Sequence, residues 1–205
     1  NGAAKWCYMF GGQNSVPITI RLIIGRGWGQ GPTHSQSLQS WFAHIPGLKV
    51  LMPSSPKDAK GLLLSAIFDD NPVIFLEHRW LHNQLEIVPD TDFREPIGKA
   101  KLSKEGLDVT VVAMSIMTIE AISAIEFLEH RGITCDLIDL RSVRPIDWDT
   151  ILSSVKKTGR LLALDPAHPV CSVASEIIAR VSTDMFSSLK VAPKRITLPD
   201  VPTPT

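Results

Sequence analysis

His34 stands alone behind four glycines set at every second position, Gly25, Gly27, Gly29 and Gly31, and among the small hydroxyl residues of Thr33-His34-Ser35-Gln36-Ser37. Histidine is the side chain that titrates nearest neutrality. A glycine turn lets backbone approach a ligand closely and take up φ > 0. Together they suit proton transfer at the edge of an α/β sheet, where loops at strand ends carry function. The competing reading is a histidine that caps or braces the helix after it. His34 and Ser35 are neighbours and cannot face one another as base and nucleophile, so a hydrolase triad is unsupported. The ladder lacks the G-x-G-x-x-G order and no Gly-Lys-Ser/Thr follows, so no phosphate cradle is expected.

Three other clusters could do chemistry. Asp69, Asp70 and Asn71 fall at a helix end, where free carbonyls with a carboxylate and an amide make an oxygen-rich cation site; a solvated turn before Pro72 is the plainer reading. Glu77, His78, Arg79 and His82 follow the carboxyl end of a strand and could line a pocket, an interface or an exposed rim. Arg141 and Arg144, ahead of Pro145 and Asp147, could bind an anion or bridge to another chain; otherwise they form a polar turn in which Asp147 caps a helix. His44 and His130 read as surface helix residues, and His168 as a loop residue able to meet a partner. Cys7, Cys135 and Cys171 are widely spaced, match no metal-ligand pattern, and read as buried thiols of a reducing, cytoplasmic compartment.

These residues need elements to hold them. Residues 17–24 form an apolar run typical of a strand covered on both faces. A short helix over 37–45 and a strand over 49–53 follow. Ser55-Pro56-Lys57-Asp58 opens a helix by cap, proline and first-turn acid. Its expected apolar stripe is Ala59, Leu62, Leu63, Ala66 and Ile67. Residues 73–77 read as the next strand. Residues 80–98 lose the rhythm, as a crossing between domains would. Strands over 108–114, 133–140, 161–164 and 194–198 then alternate with helices marked by Ile119, Ile122, Ile125 and Leu128, by residues 148–157 closed at Gly159, and by Ala174, Ile177, Ile178, Val181 and Met185. The alternation predicts α/β units with parallel, right-handed crossovers.

Composition narrows the function classes. The 205 residues carry 21 basic and 21 acidic side chains, a formal net charge of zero, so the basic footprint of a nucleic-acid platform is lacking. No apolar run approaches the roughly 20 residues of a membrane span.

Several segments in consistent order bring a family into view. His34-Ser35-Gln36-Ser37, Pro46-Gly47-Leu48-Lys49-Val50, Asp58-Ala59-Lys60-Gly61-Leu62-Leu63 and Asp70-Asn71-Pro72-Val73-Ile74 resemble the β subunit of thiamine-diphosphate-dependent 2-oxoacid dehydrogenases of the pyruvate or branched-chain type. So do Ile138-Asp139-Leu140-Arg141, Arg144-Pro145, Lys157-Thr158-Gly159-Arg160, Ala174-Ser175-Glu176-Ile177 and the segment from Leu198 to Pro204. The resemblance implies the later part of a pyrimidine-binding domain (1–84), a linker (85–97) and a transketolase C-terminal domain (98–205) lacking its last helix. It implies that such a β subunit works with an α subunit, two of each in a heterotetramer, and with a lipoyl acyltransferase core. His34 would lie in the active site, moving a proton and orienting groups during decarboxylation or acyl transfer to lipoamide. A potassium ion would fall at Ile18, Ala66, Ile67, Asp69 and Asn71. The glutamate that activates the cofactor would precede Asn1, and the magnesium and diphosphate site would lie on the partner, so this chain alone is expected to be inactive. Two other readings remain: an interaction module without catalysis, and a transketolase-type or deoxyxylulose-phosphate-type synthase.

Overall fold

Aliphatic and β-branched runs form the strands of two sheets in the computed structural model, which describes residues 1–203; Pro204, the last residue of the Leu198 segment, and Thr205 lie outside the described residues. The first unit runs α1 (Gly2–Met9), β1 (Thr19–Ile24), α2 (Gly31–His34), α3 (Gln39–Ala43), β2 (Lys49–Leu51), α4 (Pro56–Ile67) and β3 (Val73–His78). The second runs β4 (Lys101–Lys104), β5 (Val109–Ala113), α5 (Ile116–Glu129), β6 (Cys135–Asp139), β7 (Ser142–Arg144), α6 (Trp148–Thr158), β8 (Leu161–Leu164), α7 (Val173–Asp184) and β9 (Lys194–Ile196). Strand order is β1-β3-β2-β7 in one sheet and β4-β6-β5-β8-β9 in the other. All pairs are parallel except β2–β7 and β4–β6. The expected α/β architecture is present, with antiparallel strands added.

Local chemistry sets the helix starts. The Ser55 hydroxyl accepts the Asp58 N–H at 3.2 Å with Pro56 in the first turn, and Asp147 likewise caps α6. Gly159 closes α6 at φ 72°, a left-handed position that glycine fills without strain. The inward face of α4 differs from the expected stripe. Asp58, Gly61, Leu62 and Ala66 are buried, whereas Ile67 is 53% exposed. The reason is Asp58 itself, which turns toward a buried arginine.

Three further expectations are corrected. β1 is an edge strand with β3 as its one neighbour, so Ile20 and Ile23 lie exposed rather than covered. Cys135 is buried, but Cys7 is half-buried and Cys171 exposed, because α1 and the loop before α7 lie at the surface. Arg141 turns inward rather than outward to an anion or another chain. Its guanidinium is buried, donating to Asp58 Oδ1 and to Glu95 Oε2, each at 2.9 Å, and to the Lys99 carbonyl at 3.0 Å. It therefore joins α4, the crossing segment and the second unit within one chain. Beside it the Ser54 hydroxyl donates to Asp139. The short strands β4 and β7 and helix α1 were not anticipated. β7, which follows the second unit's β6, pairs with β2 of the first sheet.

This junction predicts two stability effects. Arg141→Met leaves the Asp58 carboxylate buried without its main partner, and denaturant titration should read a loss of about 3–5 kcal/mol. Asp139 is pushed up to about 6, foremost by burial and further by the Asp58 charge, against the Ser54 and Arg141 N–H bonds. A raised acid favours folding while protonated. Its contribution is complete below the unfolded value near 3.8 and is lost as pH climbs through about 6. Asp139→Asn should remove that loss, so that the stabilities of mutant and wild type draw apart in the mutant's favour as pH rises from about 4 to about 6 and stay apart above that, by up to ~3 kcal/mol.

Candidate active site

Gly25 directly follows β1, and β3 lies beside β1 in parallel, with Ile24 opposite His78. The strands' carboxyl ends thus bring the glycine turn against His78 and Trp80. A Cβ on Gly25 would lie 2.5 Å from His78 Nε2, and one on Gly27 would lie 2.4 Å from Trp80 Cζ2. Both glycines have positive φ, 115° and 90°. The first half of the ladder is therefore explained by the chain's own side chains. Beside Gly29 and Gly31 a Cβ would meet nothing within 4 Å. This outer half faces open space, and it leads into His34.

His34 is exposed. It ends the single turn α2 rather than opening a helix, because Pro32 starts a turn ahead of it; α3 begins only at Gln39. The next side chain, Ser35, is buried, so the segment is rooted inward while the imidazole points out. His78 has the opposite character. Burial, aided by Arg26 and His82, lowers it to about 4, which leaves it neutral near pH 7. Its Nδ1 accepts the Trp80 N–H at 3.3 Å, so its proton resides on Nε2, the atom facing Gly25. Arg79 lies over the Trp28 ring at 5.7 Å, and Arg26 reaches Glu120 of α5 at 3.6 Å. The turn is thus braced from β3 and from the second unit.

The other candidates fall elsewhere. Glu77 is held by Arg21 at 2.8 Å, and His82 is exposed in the 3-10 turn Arg79–Asn83. His44 and His130 are exposed at helix ends. His168 meets its own chain, with Nδ1 against the Pro199 carbonyl at 2.9 Å and Nε2 against the Thr203 hydroxyl at 3.3 Å. That tie holds the ring against its own chain.

Ile18, Ala66, Ile67, Asp69 and Asn71 gather where α4 ends beside the entry to β1. The Ala66 carbonyl accepts the Thr19 hydroxyl at 2.9 Å, and the Ile18 carbonyl accepts the Val73 N–H at 2.9 Å. Asp69 takes the Asn71 N–H at 2.9 Å and pairs with the Lys49 ammonium. The Ala66 and Ile18 carbonyls are thus each engaged within the chain. Lys49 already offsets the one carboxylate charge. Among the described residues no group of three or more His, Cys, Asp or Glu side chains could hold a metal ion.

Comparison with known proteins agrees with this architecture. Residues 1–84 match the transketolase pyrimidine-binding domain and residues 98–205 the transketolase C-terminal domain. The chain is 43% identical over its full length to the acetoin:2,6-dichlorophenolindophenol oxidoreductase subunit beta of Cupriavidus necator and spans 60% of it. It is 45% identical to the protein of the same name from Bacillus subtilis, again spanning 60%. Against the mitochondrial pyruvate dehydrogenase E1 component subunit beta-1 of Oryza sativa subsp. japonica it is 46% identical and spans 56%. A solved split gene transketolase, an inactive beta4 tetramer, shares the fold with a TM-score of 0.76 at 24% identity, over 91% of this chain and 59% of that one. The chain therefore belongs to the transketolase family, as a pyrimidine-binding domain followed by a transketolase C-terminal domain, with β subunits of pyruvate and acetoin dehydrogenases among its relatives.

Proposed function

We propose that this chain is the β-subunit part of an enzyme that decarboxylates a 2-oxoacid on thiamine diphosphate and passes the acyl group to lipoamide. One observation carries the reading: an exposed imidazole, His34, stands at the end of a glycine turn whose outer half, Gly29 and Gly31, is open to a ligand. Relatives named as pyruvate dehydrogenase and acetoin oxidoreductase subunits favour it over a sugar-phosphate synthase or a non-catalytic module. When bound, thiamine diphosphate would supply the nucleophilic carbon and the electron sink that the loss of carbon dioxide requires.

His34 accepts or delivers a proton at its exposed ring and orients the group being transferred. Neutral His78 and Trp80 fill the space beside Gly25 and Gly27 and brace the inner half of the turn. As the family resemblance implies, the diphosphate and its magnesium would be held by a partner α subunit, in a heterotetramer of two α and two β. The lipoyl acyltransferase core is the second partner. Ile18, Ala66, Ile67, Asp69 and Asn71 would hold potassium through carbonyl dipoles, with Lys49 neutralising Asp69. The free cysteines suit a reducing, cytoplasmic setting, and no helix among the described residues is long and apolar enough to cross a membrane.

Two measurements test the assignment. Titration calorimetry of the isolated chain with thiamine diphosphate and magnesium should detect no micromolar binding; tight binding would show that the chain holds the cofactor unaided. In the assembled complex, His34→Ala should lower reductive acylation of lipoamide by about 10²-fold or more while subunit assembly persists. Full activity in that variant would remove His34 from the mechanism.

A further inference from the structure

Five residues beyond His34, Gln39 opens α3 with its side chain fully buried. Its Nε2 donates to Asp165 Oδ1 at 2.7 Å. Asp165 follows the end of β8 in the second domain and is itself 1% exposed. It also accepts the Ala167 N–H at 2.9 Å and the Ala174 N–H, in the first turn of α7, at 3.0 Å. Two of these donors therefore fix the carboxylate to its own domain, and the Gln39 amide comes from the segment that carries His34. No ion pair of Asp165 occurs among the described residues. A carboxylate in such surroundings is satisfied only by directed N–H donors, and charge-assisted bonds of this kind are the strong ones. The nearby buried atoms Ser35 Oγ, Gln39 Oε1 and Ser40 Oγ have no hydrogen-bond partner. The Gln39–Asp165 bond is thus the buried side-chain tie of the segment.

We infer that Gln39 and Asp165 are a positioning pair for His34: the second domain, through one buried amide–carboxylate bond, sets where the imidazole stands. Neither residue reaches the exposed ring. They act through the backbone of residues 34–39, whose inner side chains are buried while His34 is not. The inference rests on the catalytic reading of His34 above, and the pair's structural effect can be read separately.

The test uses the assembled α/β complex with Gln39→Met, which removes the amide at similar length and leaves Asp165 bonded to α7. The expected result is a 10- to 100-fold fall in kcat for reductive acylation, with KM for the 2-oxoacid within about twofold of wild type. Assembly should be intact, and amide hydrogen exchange over residues 31–38 faster. Gln39→Glu, which sets a second carboxylate against Asp165, should lose more. Unchanged kcat, unchanged exchange, or a loss that merely follows failed assembly would overturn the pair. If the wild-type complex turns over no 2-oxoacid, the proposed function fails, and the exchange comparison still decides whether Gln39 holds the segment.

Discussion

The guanidinium of Arg141 is the constraint on which the rest of the arrangement depends. A buried cation tolerates its surroundings only while its partners stay in place, and the partners are equally intolerant of its loss. Here they come from the start of α4 (Asp58), the crossing segment (Glu95) and the strand-bound chain at Lys99. Arg141 sits at φ 54°, in the turn between β6 and β7. Holding that turn aims β7 at β2. The two domains meet in one orientation, and the distances from the second domain to the glycine turn follow from it.

The glycine turn divides by function. Gly25 and Gly27 have no room for a side chain, because His78 and Trp80 already occupy it. That contact is packing, and it uses a histidine kept neutral by burial as a shaped, uncharged block. Gly29 and Gly31 face open space, and their own positive φ, 65° and 75°, is what favours glycine there. The same four residues thus anchor a loop at one end and leave the other end accessible, which puts His34 on a rigid base with an open front.

How much of this was legible in the residues depends on the range of the forces involved. The start of α4 and the end of α6 could be read because Ser55, Pro56, Asp58 and Gly159 act within one turn of themselves. Most strands could be read from their apolar runs. β1 was misjudged because an aliphatic run has the same composition at a sheet's edge as at its centre, and only the neighbours differ. β4 and β7, Lys-Leu-Ser-Lys and Ser-Val-Arg, are short and mostly polar, show no apolar run, and form because a partner strand is waiting. The sequence leaves Arg141 open among an anion binder, a bridge to another chain and a polar turn because Asp58 lies 83 positions away. Gln39 drew no notice because Asp165 lies 126 positions away. His34 stands out in the sequence for the opposite reason, since a lone titratable residue lies directly behind a glycine ladder.

The antiparallel pairing of β7 with β2 carries a last implication. A boundary drawn through residues 85–97 would separate two sequence domains but not two physical bodies, since the first sheet takes its final strand from beyond the cut. Severed there, β2 would present an unsatisfied backbone edge beside a buried valine and leucine, a surface prone to sticking to other chains. The pair should accordingly unravel together, as one cooperative block, with melting of either half dragging the other along.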